Sequence, residues 1–402
     1  MVPDGWKKRS LGDLFDFKNG LNADKNQYGD GYKFVNVMDV LGNSVITEKN
    51  IIGRVRVTEK QLQENRLEFG DVLFNRTSET FSEIAMASVY MDRAIALFGG
   101  FVIRGRIKSK SLLPAYAIYT FQSEGYRNQA VKLGQGAVRA NIGQKDLSKV
   151  SILVPPISEQ HKISKILSTW DKAISANEQL IIKTQRQKYA LQQQLLSEQV
   201  RLPGFHGQWK ILPLANCLIG SSQRNVGLAM GADAIRSVSK IEGMIPMREA
   251  TIGKSIERYK IVKPGWFAYN PMRINVGSIC RWPGPGDCLV SPDYVVFSCN
   301  ENMLLAEYLD YFRQSARWGD YMERAGNGSV RVRIYLEDLN QLEIPLPSVV
   351  EQKEIVSVLR TADCEIDALK RSLHCLRQEK KALMQQLLTG KLRVKLDEME
   401  VA

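Results

Sequence analysis

The chain has only three histidines, His161, His206 and His374. Its six cysteines (Cys217, Cys280, Cys288, Cys299, Cys364, Cys375) all lie in the second half. No two cysteines form a C-x-x-C pair with a histidine beside it, so the spacing expected of a zinc site is missing. No G-x-x-x-x-G-K-[ST] loop occurs, which removes a P-loop nucleotide site. No apolar run approaches the roughly 20 residues of a membrane span, and the opening MVPDGWKKRS lacks the apolar core of a signal peptide. The expectation is a reduced, cytoplasmic protein with no membrane partner and no metal of its own.

What the chain does have is an internal repeat, the feature to seek before any fold is guessed. GQGAVRANIGQKDLSKVSILVPPISEQHKISKIL (Gly134 to Leu167) returns as GNGSVRVRIYLEDLNQLEIPLPSVVEQKEIVSVL (Gly326 to Leu359), a shift of 192 residues (326 − 134). Each copy runs from a Gly-rich loop through a short apolar stretch ending in proline (Pro155, Pro347) to Glu-Gln (Glu159-Gln160, Glu351-Gln352). A long segment without proline or glycine follows and predicts a long helix. Apolar residues recur on heptads: Ile163, Leu167, Trp170, Ile174, Ile181, Leu191 and Leu195 in the first copy. In the second they are Ile355, Leu359, Ile366, Leu369, Leu373, Leu376, Leu383 and Leu387. A stripe sustained that long argues for a coiled-coil seam. Lys188 and Lys380 interrupt it at matching positions and are candidates for contacts outside the helical pair, to a partner subunit; the alternative is that they set its register. With a domain between them, two such helices pack most simply antiparallel, in a pseudo-twofold, circular arrangement.

At 402 residues the chain suits two domains plus helices. The order expected is a first domain over 1–156, a helix over 157–202, a second domain over 203–347, and a second helix with the tail over 348–402. The first domain opens at Trp6 with Leu11, Leu14 and Phe17. Strands are expected at Lys33 to Val40, Asp71 to Arg76, Ile84 to Tyr90 and Ala94 to Ile107. A helix from Leu112 to Leu133 follows, with Gly134 placed to stop it. The second domain opens at Trp209 and is expected to place strands near Ala234 to Lys240, Trp266 to Asn270, Ser278 to Trp282 and Tyr294 to Cys299, then a helix from Met303 to Ala325. Both are mixed α/β domains of one plan with divergent interiors, so the fold class is α+β.

No catalytic centre is legible. NPMR (Asn270 to Arg273) lacks the second proline and the aromatic of the Asn-Pro-Pro-aromatic motif of amino-methyltransferases. FGGF (Phe98 to Phe101) and GPG (Gly284 to Gly286) read as turns. Binding signals are stronger. The net charge is +12, from 55 Lys+Arg against 43 Asp+Glu, which suits a polyanionic partner. The glycines of GQGAVR and GNGSVR let backbone N–H groups and a guanidinium, Arg139 or Arg331, approach phosphate oxygens. The alternative is that these arginines pair with Asp146 and Asp338. GDVLFNR and GWFAYN end their strands at Asn75-Arg76 and at Asn270, with Arg273 shortly after, and Asn and Arg contact adenine and guanine edges; a structural turn is the alternative.

In GDVLFNRT, GQGAVR, ILVPPISEQHKI and LQQQLL of the first half, and YNPMR, SPDYVVF, GNGSVR, IPLPSVVEQKEI and LLTGKLR of the second, the chain resembles the specificity subunits of type I restriction-modification systems. The resemblance implies that each recognition domain reads one half of a bipartite, asymmetric site in double-stranded DNA. It implies further that the helices fix the spacer between the halves and dock two modification subunits, which methylate adenine with S-adenosylmethionine. In restricting systems two further subunits add ATP- and Mg-dependent translocation and cleavage. The chain itself would bind no cofactor and would not be an enzyme. A free-standing methyltransferase or nuclease and a protein-only coiled-coil adaptor are the rival readings.

Overall fold

The computed structural model describes residues 2–136, 139–248, 252–253, 255–325 and 333–396. The chain divides into two compact units, one of Met1–Glu178 with Ser372–Ala402 and the other of Gln179–Arg371. The two long helices, Ile157–Leu196 and Val349–Leu387, each contribute one part to each unit. The first unit is therefore built from two pieces of sequence, while the second, Gln179–Arg371, is continuous.

In the first unit the opening strand Lys7–Ser10 pairs antiparallel with Ser151–Val154, the strand that feeds the first long helix. Beside it a five-stranded sheet runs in the order Phe15–Asn19, Val102–Ile107, Val72–Asn75, Ala87–Tyr90, Val45–Ile46. The second unit repeats the frame. Lys210–Pro213 pairs with Glu343–Leu346, and a four-stranded sheet runs Leu218–Ser221, Val295–Cys299, Phe267–Tyr269, Ile279–Arg281. The interiors differ where the sequences do. Unit one adds a three-stranded sheet of Arg54–Val55, Tyr28–Val35 and Ala96–Phe98, whereas unit two has two separate two-stranded ladders there.

The repeated Glu-Gln pair explains how each domain is fixed to its helices. Gln160 and Gln352 are fully buried. The Gln160 side chain accepts from Leu113 N at 2.8 Å and donates to Ser111 O and Pro155 O. Gln352 does the same with Leu305 N, Met303 O and Pro347 O. Each amide thus satisfies main-chain groups that burial would otherwise leave unpaired. One residue earlier, Glu159 accepts from the indole N–H of Trp6 at 3.2 Å and pairs with Arg393. Glu351 accepts from Trp209 at 3.1 Å and holds Arg201 bidentately at 2.6 and 2.8 Å. Each arginine comes from just beyond the end of the opposite long helix, and each also lies over the tryptophan it accompanies. The motif thus joins the start of a domain, the start of one helix and the end of the other.

Within each unit the long helices run antiparallel. In the first, Asp171 meets Lys380 at 2.5 Å, Asn177 meets Ser372 at 3.2 Å and Glu178 meets Arg377 at 2.6 Å, so numbers rise along one helix as they fall along the other. In the second, Lys188 meets Asp363 at 2.5 Å. The heptad residues lie inward. Ile163, Leu167, Ile181, Leu195, Ile355, Leu359, Ile366 and Leu387 are buried, and Trp170, Ile174, Leu191, Leu369, Leu373, Leu376 and Leu383 are half-buried. Each fully buried leucine or isoleucine contributes roughly 1.5–3 kcal/mol of transfer free energy.

Several expectations are corrected. Lys188 and Lys380 pair across the long helices and reach beyond the pair to a tyrosine of their own unit. Lys380 lies over the Tyr119 ring, with the Tyr119 hydroxyl donating to Asp171 at 2.7 Å, and Lys188 lies over Tyr311, whose hydroxyl donates to Asp363 at 2.8 Å. The lysine closes a triad with a carboxylate of the opposite long helix and a phenol of the domain. The helix expected over Leu112–Leu133 is two, Pro114–Thr120 and Glu124–Leu133, because the Ser123 hydroxyl caps the second by accepting from Tyr126 N. Ser315 accepts likewise from Trp318 N, dividing Met303–Ala325 into Ala306–Phe312 and Ala316–Ala325. Gly134 does end its helix, but at an ordinary φ of −64° and not in the left-handed region. Lys33–Val40 is a strand only to Val35, after which Val37–Gly42 is helical. Ala94–Ile107 is two strands separated at Gly99-Gly100. Among the described residues no helix is long and apolar enough to cross a membrane.

Candidate nucleic-acid interface

The two features singled out in the first domain meet in the structure. The strand Val72–Asn75 continues through Arg76 into Thr77–Ser78, which pairs antiparallel with Ala140–Asn141, the exit of the GQGAVR loop. Ile142 N donates to Arg76 O, and the Thr77 hydroxyl donates to the Asn141 side chain at 2.6 Å. The loop is closed at its base by paired main-chain bonds between Gln135 and Asn141, at 2.8 and 2.7 Å. Gly136 has φ +123°, and a Cβ there would stand 2.1 Å from Arg139 O, so glycine is required. Arg139 is exposed. The carboxylate offered as its alternative partner, Asp146, is paired with Lys149 at 2.7 Å instead. The loop therefore holds a guanidinium in solvent on a fixed base.

Asn75 takes the structural-turn alternative offered for it. It is fully buried; its amide donates to Glu83 O at 3.0 Å and its carbonyl accepts from Thr77 N. Its side chain is spent on building the turn. Arg76 is half-buried and donates to Gly100 O at 3.1 Å, tying the turn to the FGGF segment. In the second unit Asn270 is half-buried and its side-chain carbonyl accepts from Met272 N at 3.0 Å, again a turn, while Arg273 is exposed. Ile334 N donates to Pro271 O, bringing the segment after the second Gly-rich loop beside NPMR as in the first unit. Arg331 lies outside the described residues. Arg333, two positions on, is exposed, and sequence reasoning passed over it because it has no counterpart in the first repeat, where Asn141 stands.

These corners also expose apolar side chains that periodicity could not flag: Phe101 at 61%, Met272 at 47% and Val276 at 54%. Among the described residues burial accounts for the large shifts of the thiols. Burial pushes the Cys288 and Cys299 thiols up to about 12, leaving them protonated and unreactive. Burial also lowers the Arg104 pKa, and the neighbouring Arg106 adds to this. Arg106 itself is raised by its bidentate bonds to Asp71. Such pairs stabilise a domain; they do not poise an acid or base for transfer.

Two domains of one plan, each fixed to the long helices through the same Glu-Gln motif, define a duplicated architecture without a shared interior. The family follows from comparison. The model for the type I restriction modification DNA specificity domain matches residues 3–186 and 284–375. The chain belongs to this family, whose members are non-catalytic target-recognition subunits. It is 24% identical to the type I restriction enzyme MjaX specificity subunit of Methanocaldococcus jannaschii, over 98% of this chain and 95% of that protein. Its fold is similar to the HsdS subunit of Thermoanaerobacter tengcongensis, with TM-score 0.53 and 18% identity over 97% of this chain and 98% of that one. It is also similar to a chain solved in a study of assembly and conformational transition of the type I R-M system, with TM-score 0.60 and 17% identity over 98% of this chain and all of that one.

Proposed function

We propose that this chain supplies the DNA address of a type I restriction-modification complex in the cytoplasm. Residues 1–156 read one half of a bipartite, asymmetric site and residues 203–347 the other. The helices over 157–202 and 348–402 set the spacer and dock two modification subunits. S-adenosylmethionine belongs to those subunits, and ATP and Mg to the two restriction subunits where the system restricts. Exposed guanidiniums such as Arg139 and Arg273 hold phosphates without regard to sequence, while neighbouring side chains test base edges. The observation that carries this reading is the corner of the first unit, where a strand-end turn and a Gly-rich loop closed at its base carry the exposed Arg139, in a family of specificity subunits.

The test is coexpression with the cognate modification subunit and mapping of methylated adenines in host DNA by long-read sequencing. A single split motif with a fixed gap is expected, and exchange of residues 1–156 for another such domain should alter one half of it. A complex that assembles with active methylase yet adds no sequence-specific methylation would refute the proposal and favour a protein-only adaptor.

A further inference from the structure

The FGGF segment does more than turn the chain. Gly20 N donates to Val102 O, Leu21 N to Phe98 O, Gly99 N to Val35 O, Gly100 N to Leu21 O and Val102 N to Gly99 O, all between 2.9 and 3.1 Å. Arg76 adds its guanidinium bond to Gly100 O. At Gly100 a Cβ would fall 1.8 Å from the Asn22 amide oxygen, so a side chain there would displace Asn22. So tied a turn is a platform, and what it holds in water is Phe101.

Beside Phe101 opens a cleft of about 180 Å³, lined also by Asn22, Tyr28, Phe34 and Asn36. Tyr28 is 47% exposed and packs edge-on against the buried Phe34 ring at 5.6 Å. Asn22 and Asn36 are exposed. The volume equals the share of about six waters, too small for a helix or a folded segment. Aromatic faces and two exposed amides occur together here, and Arg76 ties the turn to the strand that pairs with the exit of the Arg139 loop.

We propose that this cleft is a nucleobase pocket that takes one base of the first half-site out of its stack. Phe101 lies against the ring face, and Asn22 and Asn36 meet the hydrogen-bonding edge. The inference rests on the reading that the first domain contacts DNA. Amides match the paired donor and acceptor of a base edge, which aliphatic ligands lack. An exposed aromatic gives a stacking surface that every base can use. The rigid turn means that little order is lost on binding.

The experiment uses the complex with its modification subunits and duplexes carrying each single-base change in the first half-site. Phe101→Ala, and separately the pair Asn22→Ala with Asn36→Ala, should lower discrimination at one position by about tenfold to a hundredfold. The second half-site should be unaffected, and Phe101→Trp should retain discrimination. 2-Aminopurine at the same position should brighten on binding to the wild-type complex and stay dark with Phe101→Ala, whose exposed site makes misfolding no explanation. Unchanged discrimination at every position in both variants, with the split motif still recognised, overturns the pocket and leaves the specificity reading standing. A wild-type complex with no sequence preference overturns that reading instead.

Discussion

Replacing Asp171 by asparagine should loosen the helix pair of the first unit more than replacing Lys380 by methionine. The Lys380 side chain is 14% exposed and that of Asp171 44% exposed. Asparagine keeps an acceptor for Tyr119 but strands a lysine charge in the seam. Removing one partner of a fully buried pair costs about 3–5 kcal/mol, whereas exposed pairs contribute about 0–1 kcal/mol. With one half-exposed member, the expected cost of Asp171→Asn is about 1–2 kcal/mol, equivalent to a factor of roughly 5–30 in an opening equilibrium. Lys380→Met leaves the acid where water and Tyr119 reach it and fills the seam with apolar surface, so its cost should stay below about 1 kcal/mol. The double variant should lie near the wild type. Native-state hydrogen exchange of amides in Ile163–Asn177 and Ser372–Leu387 reads this opening directly. The reasoning is refuted if Lys380→Met accelerates exchange more than Asp171→Asn, or if neither moves it.

Two further outcomes follow from the surface and the core. Arg139→Ala should weaken DNA binding by the assembled complex about equally across sequences and reduce the slope of log K against log salt by roughly 0.9; a titration showing loss at one base position alone would contradict a phosphate role. Alkylation at pH 8 should label the exposed Cys364 and Cys375 first. Cys288 and Cys299 should resist: a pKa raised to about 12 leaves little thiolate at that pH, and both are buried. Peptide mapping that found all four equally labelled would contradict that burial.

The long helices were legible because heptads survive in a sequence however the rest diverges, and every seam residue from Ile163 to Leu387 lies buried or half-buried. The Glu-Gln repeat was visible too, but its meaning was not. Glu159 answers to Trp6 and Arg393, 153 and 234 residues away, and no local pattern reports such a meeting. The serine caps at Ser123 and Ser315 were missed because apolar spacing runs through them unbroken. Asn75 shows the opposite limit. Its place at the end of a strand could be read, but its inward orientation depends on Glu83 and Thr77 folding over it. Phe101 went unnoticed because an exposed aromatic and a core aromatic look alike until neighbours are known.

The central claim is that two independent readers are held apart by a helical ruler, and lengthening that ruler tests it most directly. One heptad inserted after Ile174, with a matching heptad before Leu376 on the antiparallel partner, adds about 10 Å of helix. At 3.4 Å per base pair that is about three base pairs. Methylation mapping of the variant complex should find both half-sites unchanged and the gap longer by about three. An unchanged gap in an active complex, or a changed half-site, would contradict the account.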